Sequence, residues 1–233
     1  MDGPFYQAAA LIVPLIIAIV FHEVAHGLVA RRLGDPTAQE MGRLTFNPLR
    51  HVDPVGTVIL PGMLALASLP VFGWAKPVPV IAQRLNHPRR DMMLVAAAGP
   101  ASNLVLAGIG AVLLGLLARV FAGDAGGSPL VGFAALNLVN FLAINVFLAI
   151  FNLLPIPPFD GSHIVEGLLP GRLRAGYAKV RRLGFALVLV LLILLPTLIP
   201  GFDPLGAVIR TPVGWLTDHY MALAGWVSGG SSR

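Results

Sequence analysis

The chain has 233 residues, no cysteine and a formal net charge of +5. Hydrophobic residues make up 56% of it and charged residues only 12%, with a mean hydropathy of +0.81. A water-soluble surface draws on about a quarter of charged residues, so this composition excludes a soluble globular protein and implies an integral membrane one. Without cysteine there is no disulfide framework and no thiolate metal site, which leaves His, Asp and Glu as metal ligands.

Stretches of about 20 apolar residues are candidate bilayer spans. The first covers residues 8–30 and carries polar residues in its second half. The second, 91–117, is rich in small residues (Ala96, Ala97, Ala98, Gly99, Ala101, Ser102), which let helix backbones approach closely in lipid. A third covers 131–154 and a featureless fourth 183–199. Residues 205–227 are apolar but hold Arg210, Asp218 and His219, and read either as a further span or as an interfacial helix. The stretch 55–72 is short and interrupted at Pro61-Gly62. Basic clusters flank it on both sides: Arg31, Arg32, Arg43 and Arg50 before, Lys76, Arg84, Arg89 and Arg90 after. Placing both on the cytoplasmic side requires a re-entrant hairpin, broken at Pro61-Gly62, and not a plain span. The expected fold is an all-α membrane protein of five or six membrane segments, one of them re-entrant.

With that topology every Lys and Arg except Arg119, Arg210 and Arg233 falls on the cytoplasmic face. The basic loops, including Arg172, Arg174, Lys179, Arg181 and Arg182, are then topology anchors. A pI near 10.4 needs no nucleic-acid partner to explain it. Residues 1–10 carry no basic n-region, so no cleavable signal is expected. No loop is long enough for a separate soluble domain. Residues 1–233 read as one membrane domain, with a core at about 8–164 and C-terminal helices at 183–227.

Phe21-His22-Glu23-Val24-Ala25-His26-Gly27 lies in the first span. His22 and His26, four apart, share one helix face one turn apart, the spacing that a single metal ion needs. Glu23 sits about 100° round the helix, where it can take a proton from water beside the metal. This is the HExxH pattern of zinc hydrolases. Ionisable residues at membrane depth cost several kcal/mol and mark function far more often than plain interhelical bonding. A catalytic zinc site takes three protein ligands. If the span begins near Ala8, the histidines lie about 21 and 27 Å along it, near the cytoplasmic boundary. The third span ends at that depth in Asn152-Leu153-Leu154-Pro155-Ile156-Pro157-Pro158-Phe159-Asp160-Gly161, where Asp160 is the only acid. Its prolines break the helix, and irregular backbone at this depth is tolerated where it lines a cavity. The ordinary alternative for Asp160 is an Asp-Gly turn.

The HExxH and the later Asn-Leu-Leu-Pro-Ile-Pro-Pro-Phe-Asp-Gly resemble the site-two protease family of intramembrane zinc metalloproteases. Residues 42–49, 73–80 and the Ala98-Gly99-Pro100-Ala101-Ser102-Asn103 run resemble its compact prokaryotic branch without a PDZ domain. The resemblance covers about residues 11–164. It implies His22, His26 and Asp160 as ligands of one Zn2+, Glu23 as general base, and Asn152 as a contact for substrate or the developing oxyanion. Phe159 stands where many members have leucine.

Weaker signals surround this core. Asn152 can equally be a helix-end hydrogen-bonding group. Asn103 reads as a packing hydrogen bond. For His51 and Asp53, turn chemistry before Pro54 outweighs a supporting role at zinc. Residues 42–46 read as a short strand whose free edge takes an unwound substrate, or as a plain loop. The expected function is peptide-bond hydrolysis within or near transmembrane segments of membrane-protein substrates, at a prokaryotic plasma membrane with the active site toward the cytoplasm. The competing readings are a membrane metal-ion transporter and a catalytically inactive binding module. Intramembrane His and Asp also mark ion pathways, but transporters usually carry inverted repeats and this chain shows none.

Overall fold

The structure is a computed structural model that describes residues 3–66, 73–122, 128–181, 183–199 and 201–230. Those residues are overwhelmingly helical and include no strand. Helix α1 (Pro4–Arg32) is the first span, with Pro4 in its first turn, where a missing N–H costs nothing. Pro14 inside it removes the donor that would bond the Ala10 carbonyl. Asn140 Nδ2 takes that place at 2.9 Å. A second helix, α2 (Thr37–Glu40), is a single turn. A π-helical turn (Pro54–Ile59) then runs directly into α3 (Leu60–Leu66).

Helix α4 (Pro88–Val120) and helix α5 (Pro129–Asn152) complete the central bundle. In α4 the Asp91 carboxylate accepts the His87 amide at 2.7 Å and closes the first turn. Ala18 lies beside Asn103 and His26 beside Val95, so α1 and α4 run antiparallel. Tyr6 packs on Phe133 and Ala10 meets Asn140, so α1 and α5 run parallel. The chain then breaks at the prolines, including a cis Pro157-Pro158 bond, and turns into α6 (Asp160–Leu168) and the basic α7 (Gly171–Arg181).

Helices α8 (Gly184–Leu189) and α9 (Leu195–Leu198) are joined by a π-helical turn, Val190–Leu194. The last helix, α10 (Pro204–Val227), is a single unbroken rod. It packs antiparallel to α5 and beside α4. Leu205 and Ile209 cluster with Leu154, while Ala224 joins Ala107, Ala111, Leu142 and Val146 in the main core.

Three described helices, α1, α4 and α5, are long and apolar enough to cross a membrane. The fourth apolar stretch, Ala186–Leu198, is shorter than a span. The expected break at Pro61-Gly62 is not there, because α3 runs through both residues. Proline is tolerated at the start of a helical run, and a π-helical turn precedes it here. Residues 67–72, where a hairpin would turn back, lie outside the described residues. Of the two readings of residues 42–46, the loop is the one present, and the strand is not. Gly42 takes φ +62° to end α2, and the Arg43 side chain is drawn inward, so no extended edge forms.

Candidate metal centre

Two imidazoles on α1 and one carboxylate on α6 converge in the half of the bundle where α1 ends. His22 and His26 are each 8% exposed. His26 Nδ1 lies 2.7 Å from the Val95 carbonyl, a group that only accepts, so Nδ1 carries the proton and Nε2 presents a lone pair. His22 Nδ1 donates to Asn103 Oδ1 at 2.7 Å, which leaves its Nε2 in the same state. The two Nε2 atoms stand 3.1 Å apart. Asp160 Oδ2 lies 3.2 Å from one and 3.4 Å from the other, and this buried oxygen has no hydrogen-bond partner.

With both rings neutral, three acceptors face one another, an arrangement that repels unless a proton or a metal ion lies between them. Tetrahedral zinc at about 2.0–2.1 Å from its ligands sets those ligands about 3.3–3.4 Å apart. The spacing and the donor set fit that ion. Among the described residues, His22, His26 and Asp160 are the group able to hold a metal.

The local sequence explains how Asp160 gets there. The proline-rich break loops out and back, so that α6 starts against the end of α5 and runs on in the same direction along α4. A Cβ on Gly161 would stand 2.5 Å from the Leu154 carbonyl oxygen, so only glycine permits this approach. At its far end α6 is tied down by Arg89 of α4, which donates to the Gly167 carbonyl at 2.7 Å and to Leu169 at 2.9 Å. Gly99 forms the floor of the centre. A Cβ there would lie 2.5 Å from His22 Cε1 and nearer still to His26 Nε2.

Glu23 points toward the segment between α3 and α4, and its Oε2 accepts the Val78 amide at 2.7 Å. That segment is pinned on both sides of Val78. Arg43 Nη2 donates to the Lys76 carbonyl at 2.8 Å. Asp35, fully buried, accepts the Ile81 amide at 2.6 Å and the Thr37 hydroxyl. Burial pushes the Asp35 carboxyl up, but the Thr37 and Ile81 hydrogen bonds and Arg84 outweigh it and hold it below the ordinary carboxylate value.

Of the weaker candidates, His51 Nε2 donates to the Thr45 carbonyl at 2.8 Å and Asp53 caps the Val55 and Gly56 amides, so both serve turns. Asn152 Nδ2 donates to the Leu148 carbonyl of its own helix at 2.9 Å. Asn103 does more than pack, since it holds His22. Sequence reasoning did not single out Gly99, Asn145 or the Val78 amide. An asparagine inside an apolar span was the available signal for Asn145; a backbone amide leaves no signal in side-chain identity.

The model of peptidase family M50 matches residues 10–130 and 120–195. A protein of Bacillus subtilis (strain 168) named "Putative zinc metalloprotease YwhC" is 38% identical over 87% of this chain and 84% of its own length. Proteins named "Putative zinc metalloprotease Rip2" are 35% identical in Mycolicibacterium smegmatis, over 76% of this chain and 64% of that protein. The Mycobacterium tuberculosis H37Rv counterpart is 32% identical, over 91% of this chain and 76% of its own length. No solved structure matches the chain. The chain belongs to peptidase family M50.

Proposed function

We propose, from this membership and the three convergent acceptors, that the protein is an intramembrane endopeptidase. It holds one zinc ion on His22, His26 and Asp160, and cleaves transmembrane segments of membrane-protein substrates. The observation that carries the reading is the unpartnered Asp160 Oδ2 facing two imidazole lone pairs, on the helix that also bears Glu23.

Zinc supplies, when bound, the Lewis acidity that polarises a scissile carbonyl and acidifies water. Glu23 is the general base. Val78 holds one of its oxygens through an amide hydrogen bond, and the carboxylate takes the proton of the attacking water and returns it to the leaving amine. Asn152 is assigned the contact with substrate or oxyanion. Its amide, half-buried at the end of α5, serves that role by turning from the Leu148 carbonyl. A substrate helix must unwind to expose its peptide bond, and the proline-broken backbone before Asp160 offers partners to the freed groups.

The reading places the protein in a prokaryotic plasma membrane with the metal centre toward the cytoplasm, because the basic residues Arg31 and Arg32 end α1 just beyond His26. It keeps a re-entrant segment after residue 54. The Trp74 amide bonds the Gly56 carbonyl at 3.1 Å and Thr57 Oγ1 bonds the Trp74 carbonyl at 2.9 Å, so the stretch begins and ends at one place. Helix α10, lying along α4 and α5, is assigned as a further span.

The test is zinc content and cleavage on the full chain in one detergent. The expectation is about one zinc per chain in the unsubstituted protein, cleavage lost but zinc kept in Glu23→Gln, and both lost in Asp160→Ala. Loss of zinc in Glu23→Gln with retention in Asp160→Ala would overturn the roles. Metal flux in liposomes without cleavage would favour transport.

A further inference from the structure

Three membrane helices are linked at the metal centre by a chain of hydrogen bonds that runs in one direction. Asn145 Nδ2 on α5 donates to the Phe141 carbonyl at 2.8 Å. Its Oδ1 accepts from Asn103 Nδ2 on α4 at 2.8 Å. The same Asn103 Nδ2 also reaches the Ala18 carbonyl of α1 at 3.2 Å. Asn103 Oδ1 is left to accept from His22 Nδ1 at 2.7 Å. Asn103 and Asn145 are both fully buried.

The direction follows from chemistry. Backbone carbonyls only accept, so the amide end facing Phe141 and the end facing Ala18 must both be NH2. Each amide then has its oxygen turned to the next group, and the last oxygen faces His22. Nδ1 of that ring must therefore carry a proton, which leaves Nε2 as the lone pair of the neutral ring.

We propose that Asn103 and Asn145 are positioning residues for the metal centre. Asn103 fixes the tautomer and ring angle of His22, and Asn145 fixes which end of the Asn103 amide faces the imidazole. This rests on the zinc reading above and adds to it two residues that touch neither ion nor substrate. Groups that hold a ligand histidine by its other nitrogen generally contribute about 10- to 100-fold in metal affinity.

The test is zinc affinity of the purified full chain, by competition with a chromophoric chelator in one detergent. Asn103→Leu should weaken zinc by about 10- to 100-fold. Asn103→Asp should recover most of that loss as the protonated acid, because either oxygen can accept the Nδ1 proton while the other, carrying the hydrogen, donates to the Ala18 carbonyl or Asn145 Oδ1. Asn145→Leu should weaken zinc in the otherwise unsubstituted chain and cost nothing further on the Asn103→Asp background, where the accepting group has no wrong end. This arm leaves the acceptor for His22 in place, so it reads even if Asn103→Leu does not fold.

Asn140→Leu is the control. It removes a hydrogen bond between α5 and α1 away from the centre and should lower thermal stability without changing zinc affinity. Equal losses from Asn145→Leu on both backgrounds, or equal losses from Asn140→Leu, would mean general loosening and overturn the proposal. Wild-type affinity in Asn103→Leu would overturn it while leaving the zinc reading intact. A wild-type chain that binds no zinc would overturn both.

Discussion

The bundle of α1, α4 and α5 and the segment between α1 and α4 satisfy their polar groups in opposite ways. Inside the bundle, past the first turn of α4 where Asp91 accepts the His87 amide, four side chains that reach helix backbone are donors: His26 to Val95, Asn103 to Ala18, Asn140 to Ala10, Asn145 to Phe141. In the segment many are acceptors: Asp35 takes the Ile81 amide, Asp53 those of Val55 and Gly56, and Asn47 that of Leu49. A helix interior has spent its N–H groups, and only the second lone pair of each carbonyl is left to bind. Irregular backbone has free N–H groups, and they draw carboxylates. Glu23 stands where the two regimes meet, on a membrane helix with its carboxylate bonded to a segment amide. The accepting carbonyls also explain why His26, once neutral, presents Nε2 as a lone pair; for His22 the acceptor is Asn103 Oδ1.

That contrast can be broken most severely at its junction. Glu23→Gln keeps the size of the side chain but cannot take a proton, and cleavage should fall by about 10²–10⁴-fold, with zinc content unchanged by metal analysis. Next in size is Gly99→Ala, which puts a methyl group against both imidazoles. Overpacking of this kind costs about 1–3 kcal/mol, and zinc affinity and thermal stability should drop together. The same change at Gly176, with open space around it, should leave both measurements near wild type.

The segment carries an acid response of its own. Asp35 has a depressed pKa in the fold, so its contribution is complete above the ordinary Asp value of about 3.9 and is lost as pH falls through the lower folded value. Amide hydrogen exchange at Ile81 and Val78 should accelerate over that window. Asp35→Asn should show the faster exchange already at neutral pH and lose the pH dependence. The smallest effect is expected for Arg210→Ala, which removes an exposed ion pair to Asp203. Pairs of this kind contribute about 0–1 kcal/mol, so melting in detergent should barely move.

The residues that cluster in the candidate metal centre were legible because their pattern is local or chemically costly. The four-residue spacing of His22 and His26 follows from helix geometry alone, and Asp160 is the one acid at the right depth beside a proline break. The three long spans were equally readable, since an apolar run of that length has few other uses. Residues 42–46 were not, because extended and turned backbone differ there by where Arg43 finds its acceptors, the Lys76 and Pro77 carbonyls far along the chain.

Membrane residence, the three long helices and the pairing of HExxH with a distant Asp are consequences of composition and period, which act on neighbours in the chain. Only the tertiary structure decided that Gly99 is the floor beneath the imidazoles, that Val78 donates to Glu23, and that Asn145 and Asn103 orient His22. Each of these joins residues from different helices or from a helix and a remote loop. A contact of that kind depends on crossing angle and depth, which a one-dimensional pattern does not carry.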